Sequence, residues 1–165
     1  MKVLKLAGLA LLALLLIIQL FHPQKNISSE ATPKHIGTSY KIPENIQAIL
    51  VKACYDCHSN NTVYPWYNNI QPVAWWLNDH VVSGKRHLNF DEFTAYSIAR
   101  QYRKIQQCAE EVKNKNMPLL SYTWVHKNAI LTQEEKLAFI NWCSAVRDSI
   151  KAKYPADSLV MPKRK

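Results

Sequence analysis

Residues 54–58 read CYDCH, inside the longer stretch VKACYDCHSNNT of residues 51–62. Two cysteines three positions apart, with a histidine directly after them, admit three chemistries: a haem attachment site, half of a zinc site, or a redox-active dithiol. A thioredoxin-like dithiol sits at the end of a strand in a βαβ context, and no strand pattern precedes Cys54. A structural zinc site usually takes a second pair at similar spacing. The other cysteines, Cys108 and Cys143, stand alone on separate helical segments. Covalent haem needs only what is present. Cys54 and Cys57 lie about one helical turn apart, so their sulfurs reach the two vinyl groups along one porphyrin edge. His58 can then turn under the ring and bind iron as its proximal ligand. One covalent haem c, held by Cys54, Cys57 and His58, is the favoured reading.

The chain around this motif is built for helices. With 165 residues it has room for one domain with a real core. It carries only three glycines, and β-branched alternation is scarce, so an all-α fold is expected. Four helical segments stand out. Pro43 to Cys54 opens on a proline and Glu44, with Ile46, Leu50 and Ala53 on one face. Val73 to Ser83 carries Val73, Trp76, Leu77 and His80 at helical spacing. Phe90 to Lys113 follows Asn89, with Glu92 placed for a capping box, and shows a stripe of Phe93, Ile98, Tyr102, Ile105, Ala109 and Val112. The last helix begins at Thr132 in TQEE and runs to about Lys153, with Phe139, Trp142, Val146 and Ile150 inward.

Residues 1–21, MKVLKLAGLALLALLLIIQLF, are apolar after Lys2 and Lys5 except for Gln19. They read as an N-terminal membrane helix, favoured as an uncleaved signal anchor because no A-x-A-like site follows. Residues 22–41 are polar with two prolines and read as a tether. Residues 42–155 form the haem-binding domain, and 156–165, ending in PKRK, a basic tail. This places the domain in the periplasm, held at a bacterial inner membrane. Without Lys2 and Lys5, 19 basic residues face 12 acidic ones, a net charge of +7. For an exported domain, that charge suits redox partners with acidic surfaces or an anionic membrane, rather than nucleic acid.

The segments YPWYNNIQPVAWWLNDHVVSGKRHLNF, NMPLLSYTWVH and LTQEEKLAFINW resemble a bacterial haem-binding domain family of single-haem, c-type-cytochrome-like proteins. The resemblance covers roughly Ile42 to Ala152 and includes a similar hydrophobic N-terminus. It implies a small cytochrome-c-like helical domain around one haem, with Cys54, Cys57 and His58 mapping onto its attachment motif.

The sixth iron ligand decides the function. Met117, in the polar loop KNKNMPLL with Pro118 to stiffen it, is the first candidate. His80 is the rival, and His87 and His126 rank lower among polar neighbours. Arg86, Trp66 and Tyr67 are candidates to hold the haem carboxylates. Trp66, Trp75, Trp76 and Trp142 are expected to wall the haem. Cys108 and Cys143 are expected to pair as a disulfide in an oxidising compartment. No catalytic carboxylate pair or Ser/His/Asp arrangement is visible. Single-electron transfer is therefore the leading expectation, with peroxidase-like catalysis or ligand sensing at an open distal site as the alternative.

Overall fold

The computed structural model describes residues 1–28, 30 and 32–162, and within them the chain is all helical. The helices are α1 (Lys2–Ile18), α2 (Glu44–Ala53), α3 (Tyr55–His58), α4 (Val73–His87), α5 (Ile98–Lys113), α6 (Leu120–Val125) and α7 (Gln133–Lys153), joined by 3₁₀ turns. The core forms where α5 lies along α7 and α2 packs against α7. Ile46, Leu50, Phe90, Phe93, Ile105, Phe139 and Ile150 are its most enclosed side chains.

The start of α7 follows the TQEE signal. Thr132 Oγ1 accepts from the Glu135 N–H at 3.2 Å, and Glu135 Oε2 accepts from the Thr132 N–H at 2.9 Å, which completes a capping box. The second Glu135 oxygen takes the Lys52 ammonium from α2, pinning two helices together. The Lys52 hydrogen bond and those of Thr132 hold this carboxyl below its ordinary value of 4.5. A depressed carboxyl stabilises the fold above its unfolded pKa, and that stability is lost as pH falls through the folded value. Glu135→Gln, which keeps the cap but not the charge, should cost about 0.5–1 kcal/mol at neutral pH. Urea unfolding at neutral and at acid pH checks this, because the difference from the parent should vanish in acid.

The single helix expected over Phe90–Lys113 is two elements. Asn89 Oδ1 accepts from the Asp91 N–H and starts a 3₁₀ turn over Phe90–Ala95. The Tyr96 hydroxyl then accepts from the Asn89 N–H at 2.9 Å and closes that turn. Tyr96 is extended, and Ser97 takes the N-cap of α5 by accepting from the Arg100 N–H.

The described residues between 22 and 41 form a strap rather than a tether. Ile36 is fully buried and Tyr40 nearly so, both within the core cluster. The Tyr40 hydroxyl donates to Gln101 Oε1 at 2.8 Å. Asn26 donates through Nδ2 to the Ser59 carbonyl and to Thr62 Oγ1, each at 2.9 Å. Two apolar side chains at the right spacing outweigh the polar composition around them. At the other end, Leu159 packs on the core from the Ala156–Leu159 turn, so the domain extends past residue 155. Of the basic tail, residues 163–165 lie outside the described residues.

No helix among the described residues is long and apolar enough to cross a membrane. This corrects the expectation of a spanning anchor over residues 1–21. The 17 residues of α1 extend about 26 Å, against a hydrocarbon core of roughly 30 Å. The α-helix gives way to turn at Gln19, whose side-chain amide donates to the Leu15 carbonyl.

Candidate functional site

A cavity of about 540 Å³ opens beside α3, walled by α4, α5 and the segment from Met117 to Tyr122. Its volume falls in the range of cofactor sites. Cys54, Cys57, His58 and Met117 all line it. Four residues drawn from two distant parts of the sequence thus meet at one space.

The motif is shaped locally before it is packed. Cys54 ends α2, and the Cys57 and His58 N–H groups both turn back to donate to its carbonyl, at 3.2 and 3.0 Å. This winds residues 55–58 into the single turn α3. Asp56, between the cysteines, anchors that turn from outside. Its Oδ1 accepts from the Val63 N–H at 3.0 Å and its Oδ2 from the Tyr122 hydroxyl at 2.6 Å. Burial, then this hydrogen bond to Asp56, pushes the Tyr122 hydroxyl well above its usual pKa, so it remains a donor.

His58 is held by α4. Its Nδ1 lies 3.1 Å from the Gly84 carbonyl and 2.9 Å from the Leu88 carbonyl. Both partners only accept, so Nδ1 carries the proton and Nε2 keeps its lone pair. Metal-binding histidines show the same second bond, which fixes ring orientation and tautomer. Burial, the largest influence, presses the His58 pKa downward, favouring the neutral ligand form. Phe90 meets the ring edge-on at 6.5 Å between centroids.

Gly84 lets this happen. A β-carbon at that position would stand 2.5 Å from the Cys57 carbonyl oxygen and 3.0 Å from Cys57 Cβ. Only a glycine allows α4 to pass this close to the motif.

Met117 arrives by a different device. The Asn116 N–H donates to the Glu111 carbonyl at 2.9 Å and the Lys115 N–H to the Val112 carbonyl at 3.2 Å, with Lys115 left-handed at φ 61. This is a Schellman ending to α5, and it turns the chain so that half-buried Met117 reaches the cavity wall.

The other candidates divide. His80 lines the cavity, with Nδ1 donating to the Trp76 carbonyl at 2.8 Å and its ring 4.4 Å from Trp76. His87 lines it too, although its polar neighbours suggested otherwise. His126 instead stacks on Tyr122 at 4.2 Å and is not part of the wall.

Trp66 and Arg86 lie elsewhere. Both are exposed and neither lines the cavity. Arg86 points outward because α4 turns Ala74, Val81 and the carbonyls of Gly84 and Leu88 inward. Trp75 and Trp76 are also exposed, and Trp142 belongs to the core, its indole donating to the Lys41 carbonyl. None of the four expected tryptophans walls the cavity. The Tyr67 hydroxyl is buried without a partner among the described residues, but away from the cavity wall.

The disulfide expectation also fails, since all four cysteines are free. Cys143 is wholly enclosed in the α5–α7 core, and Cys108 lines the cavity. Burial pushes the Cys108 thiol up to about 12.

Sequence reading missed Lys104. It is half-buried on the cavity wall, and no carboxylate among the described residues lies within ion-pairing reach. Burial, then Arg100 and Arg103, pushes its pKa down, so the site favours an incoming anion. The residues therefore fit a haem: thiols for its vinyl edge, an oriented imidazole for its iron, and a cation for a carboxylate. Among the described residues, no group of three or more His, Cys, Asp or Glu side chains is arranged to hold a metal ion by itself.

An all-helical domain whose CxxCH motif opens onto such a cavity defines a haem-binding module. A family model described as a haem-binding domain matches residues 13–145. The chain belongs to that haem-binding domain family. No curated protein and no solved structure matches it.

Proposed function

We propose that this protein is an exported, membrane-associated carrier of one covalent haem c that transfers single electrons. The observation that carries this reading is His58. Its Nδ1 is committed to two backbone carbonyls, which leaves the lone pair on Nε2, and the residue lines the same cavity as Met117.

Attachment is an addition. Each cysteine S–H would add across one vinyl C=C, the sulfur bonding to one carbon and the proton to the other, with nothing leaving. Burial, then Asp56, pushes the Cys57 thiol to about 11, and burial pushes Cys54 up as well, so both are intact thiols at neutral pH. The bound group supplies one-electron exchange at iron. His58 Nε2 and the Met117 sulfur would bind its iron, and Lys104 would offset one of its carboxylates. The basic surface favours acidic redox partners and slows non-specific pairing with other basic proteins. Export and membrane association rest on the Lys2 and Lys5 start followed by the apolar run of residues 6–18.

One observation favours a second reading. His80 and His87 stand on the same cavity wall, and an acid–base group beside an open iron face would suit peroxide reduction or gas sensing.

Intact mass spectrometry of protein matured with a haem-attachment system tests the proposal. The expected mass exceeds that of the chain by one porphyrin, and the pigment stays with the precipitate in acidified acetone. Extraction of the colour into the solvent would remove the covalent reading.

A further inference from the structure

We propose that the haem domain is clamped to α1, so that Trp66, Trp75 and Trp76 rest in the headgroup layer of a phospholipid bilayer that α1 enters. This rests on the membrane association proposed above and goes beyond it, because it fixes how the domain sits.

The clamp is a set of hydrogen bonds between residues 19–22 and the turn before α4. Gln71 Nε2 donates to the Phe21 carbonyl at 2.6 Å, and the Trp75 indole donates to the same oxygen at 2.9 Å. The Gln71 N–H donates to Gln19 Oε1 at 2.9 Å, while Gln19 Nε2 returns a bond to the Gln71 carbonyl at 3.2 Å. His22 Nε2 reaches the Asn69 carbonyl at 3.2 Å. Gln71 is only 3% exposed, so the three clamp bonds it makes are partly sheltered from water. They also explain Gln19, the one polar residue in the run from Leu6 to Phe21.

Around the clamp lies an apolar rim. Trp66 is 76% exposed, Trp75 41% and Trp76 47%, and Leu20, Phe21 and Ile70 are exposed with them. Tryptophan prefers the membrane–water boundary, where its ring is partly buried and its N–H stays satisfied. The rim continues into α1, which is apolar on every side from Leu6 to Ile18 and has no buried residue. A helix apolar all round belongs in a core or in hydrocarbon. One partner helix would cover a single stripe, whereas lipid covers the whole circumference.

The shortness of α1 completes the argument. With Lys2 and Lys5 at the far headgroups, α1 does not cross the hydrocarbon by itself: about 26 Å of helix ends some 4 Å short, and the domain's rim must make up the difference. A flexible linker would absorb that mismatch, but a clamped domain is drawn against the bilayer, rim first. Without Lys2 and Lys5 the chain's net charge of +7 suits anionic headgroups there.

Hydroxyl-radical footprinting of the full-length protein in nanodiscs of phosphatidylethanolamine and phosphatidylglycerol tests this. Trp124, 63% exposed on α6, is the internal reference. Trp66, Trp75 and Trp76 should oxidise several-fold more slowly than Trp124. The double variant Gln19→Ala, Gln71→Ala should still co-purify with the discs but lose that protection. Equal oxidation of Trp66 and Trp124 in disc-bound protein overturns the docking and leaves membrane association intact, as does protection that survives the double variant. Failure to co-purify with the discs overturns both.

Discussion

Gly84→Ala will yield a protein that is less stable and takes up several-fold less haem than its parent. The added methyl would lie 2.5 Å from the Cys57 carbonyl oxygen, 3.0 Å from its Cβ and 3.2 Å from its carbonyl carbon. Two of those atoms are backbone and cannot swing aside, so α4 must move away from α3. Overpacking of this kind costs about 1–3 kcal/mol, well above the roughly 1 kcal/mol that alanine gains over glycine in a helix. The site suffers more than the fold, because the Gly84 and Leu88 carbonyls orient His58. Gly8→Ala provides the control, since nothing lies within 4 Å of its added carbon. Urea unfolding of the haem-free chain and haem content per chain report the two effects. Parental values for both in Gly84→Ala would refute the close approach.

Met117→Ala will abolish the weak long-wavelength charge-transfer band of methionine–iron ligation in the oxidised protein and open the iron to carbon monoxide when reduced. Methionine ligation raises a haem's potential. Its loss should lower the midpoint by about 0.1–0.3 V, part of the roughly 0.8 V that axial ligands span. His80→Ala should leave band and potential unchanged, because Trp76 holds that ring through its carbonyl and its face. If His80→Ala removed the band instead, the ligand assignment would pass to His80. A parent that already binds carbon monoxide readily would shift the function towards sensing or peroxide chemistry.

These two residues differ in how far they could be seen beforehand. Met117 stood out as a methionine in a polar loop after a long helix, and Cys54, Cys57 and His58 announce themselves by spacing. The cap of α7 and the buried positions Phe139, Trp142, Val146 and Ile150 were equally legible, because caps and 3.6-residue periodicity are properties of short stretches. Gly84 was not legible. A mid-helix glycine acquires meaning only when a second chain passes against it.

α4 shows the same limit most plainly. Its sequence VAWWLNDHVVSGKRH has apolar residues on more than one face, so periodicity alone does not choose which face turns inward. The stripe through Val73, Trp76, Leu77 and His80 was expected inside, while Ala74 and Val81 are the residues buried. Small side chains win because α3 must come close at Gly84, and the tryptophans are left outside.

Taken alone, the amino-acid order determined the helical class, the helix ends with strong caps, and the CxxCH spacing of thiols and imidazole. These are local properties, set by residues within a turn or two of one another. Tertiary structure decided the tautomer of His58, the cavity position of Lys104, the packing of residues 22–41 and the outward turn of Trp66 and Arg86. Each of those depends on which distant surface a side chain meets, and that is settled only when the helices pack.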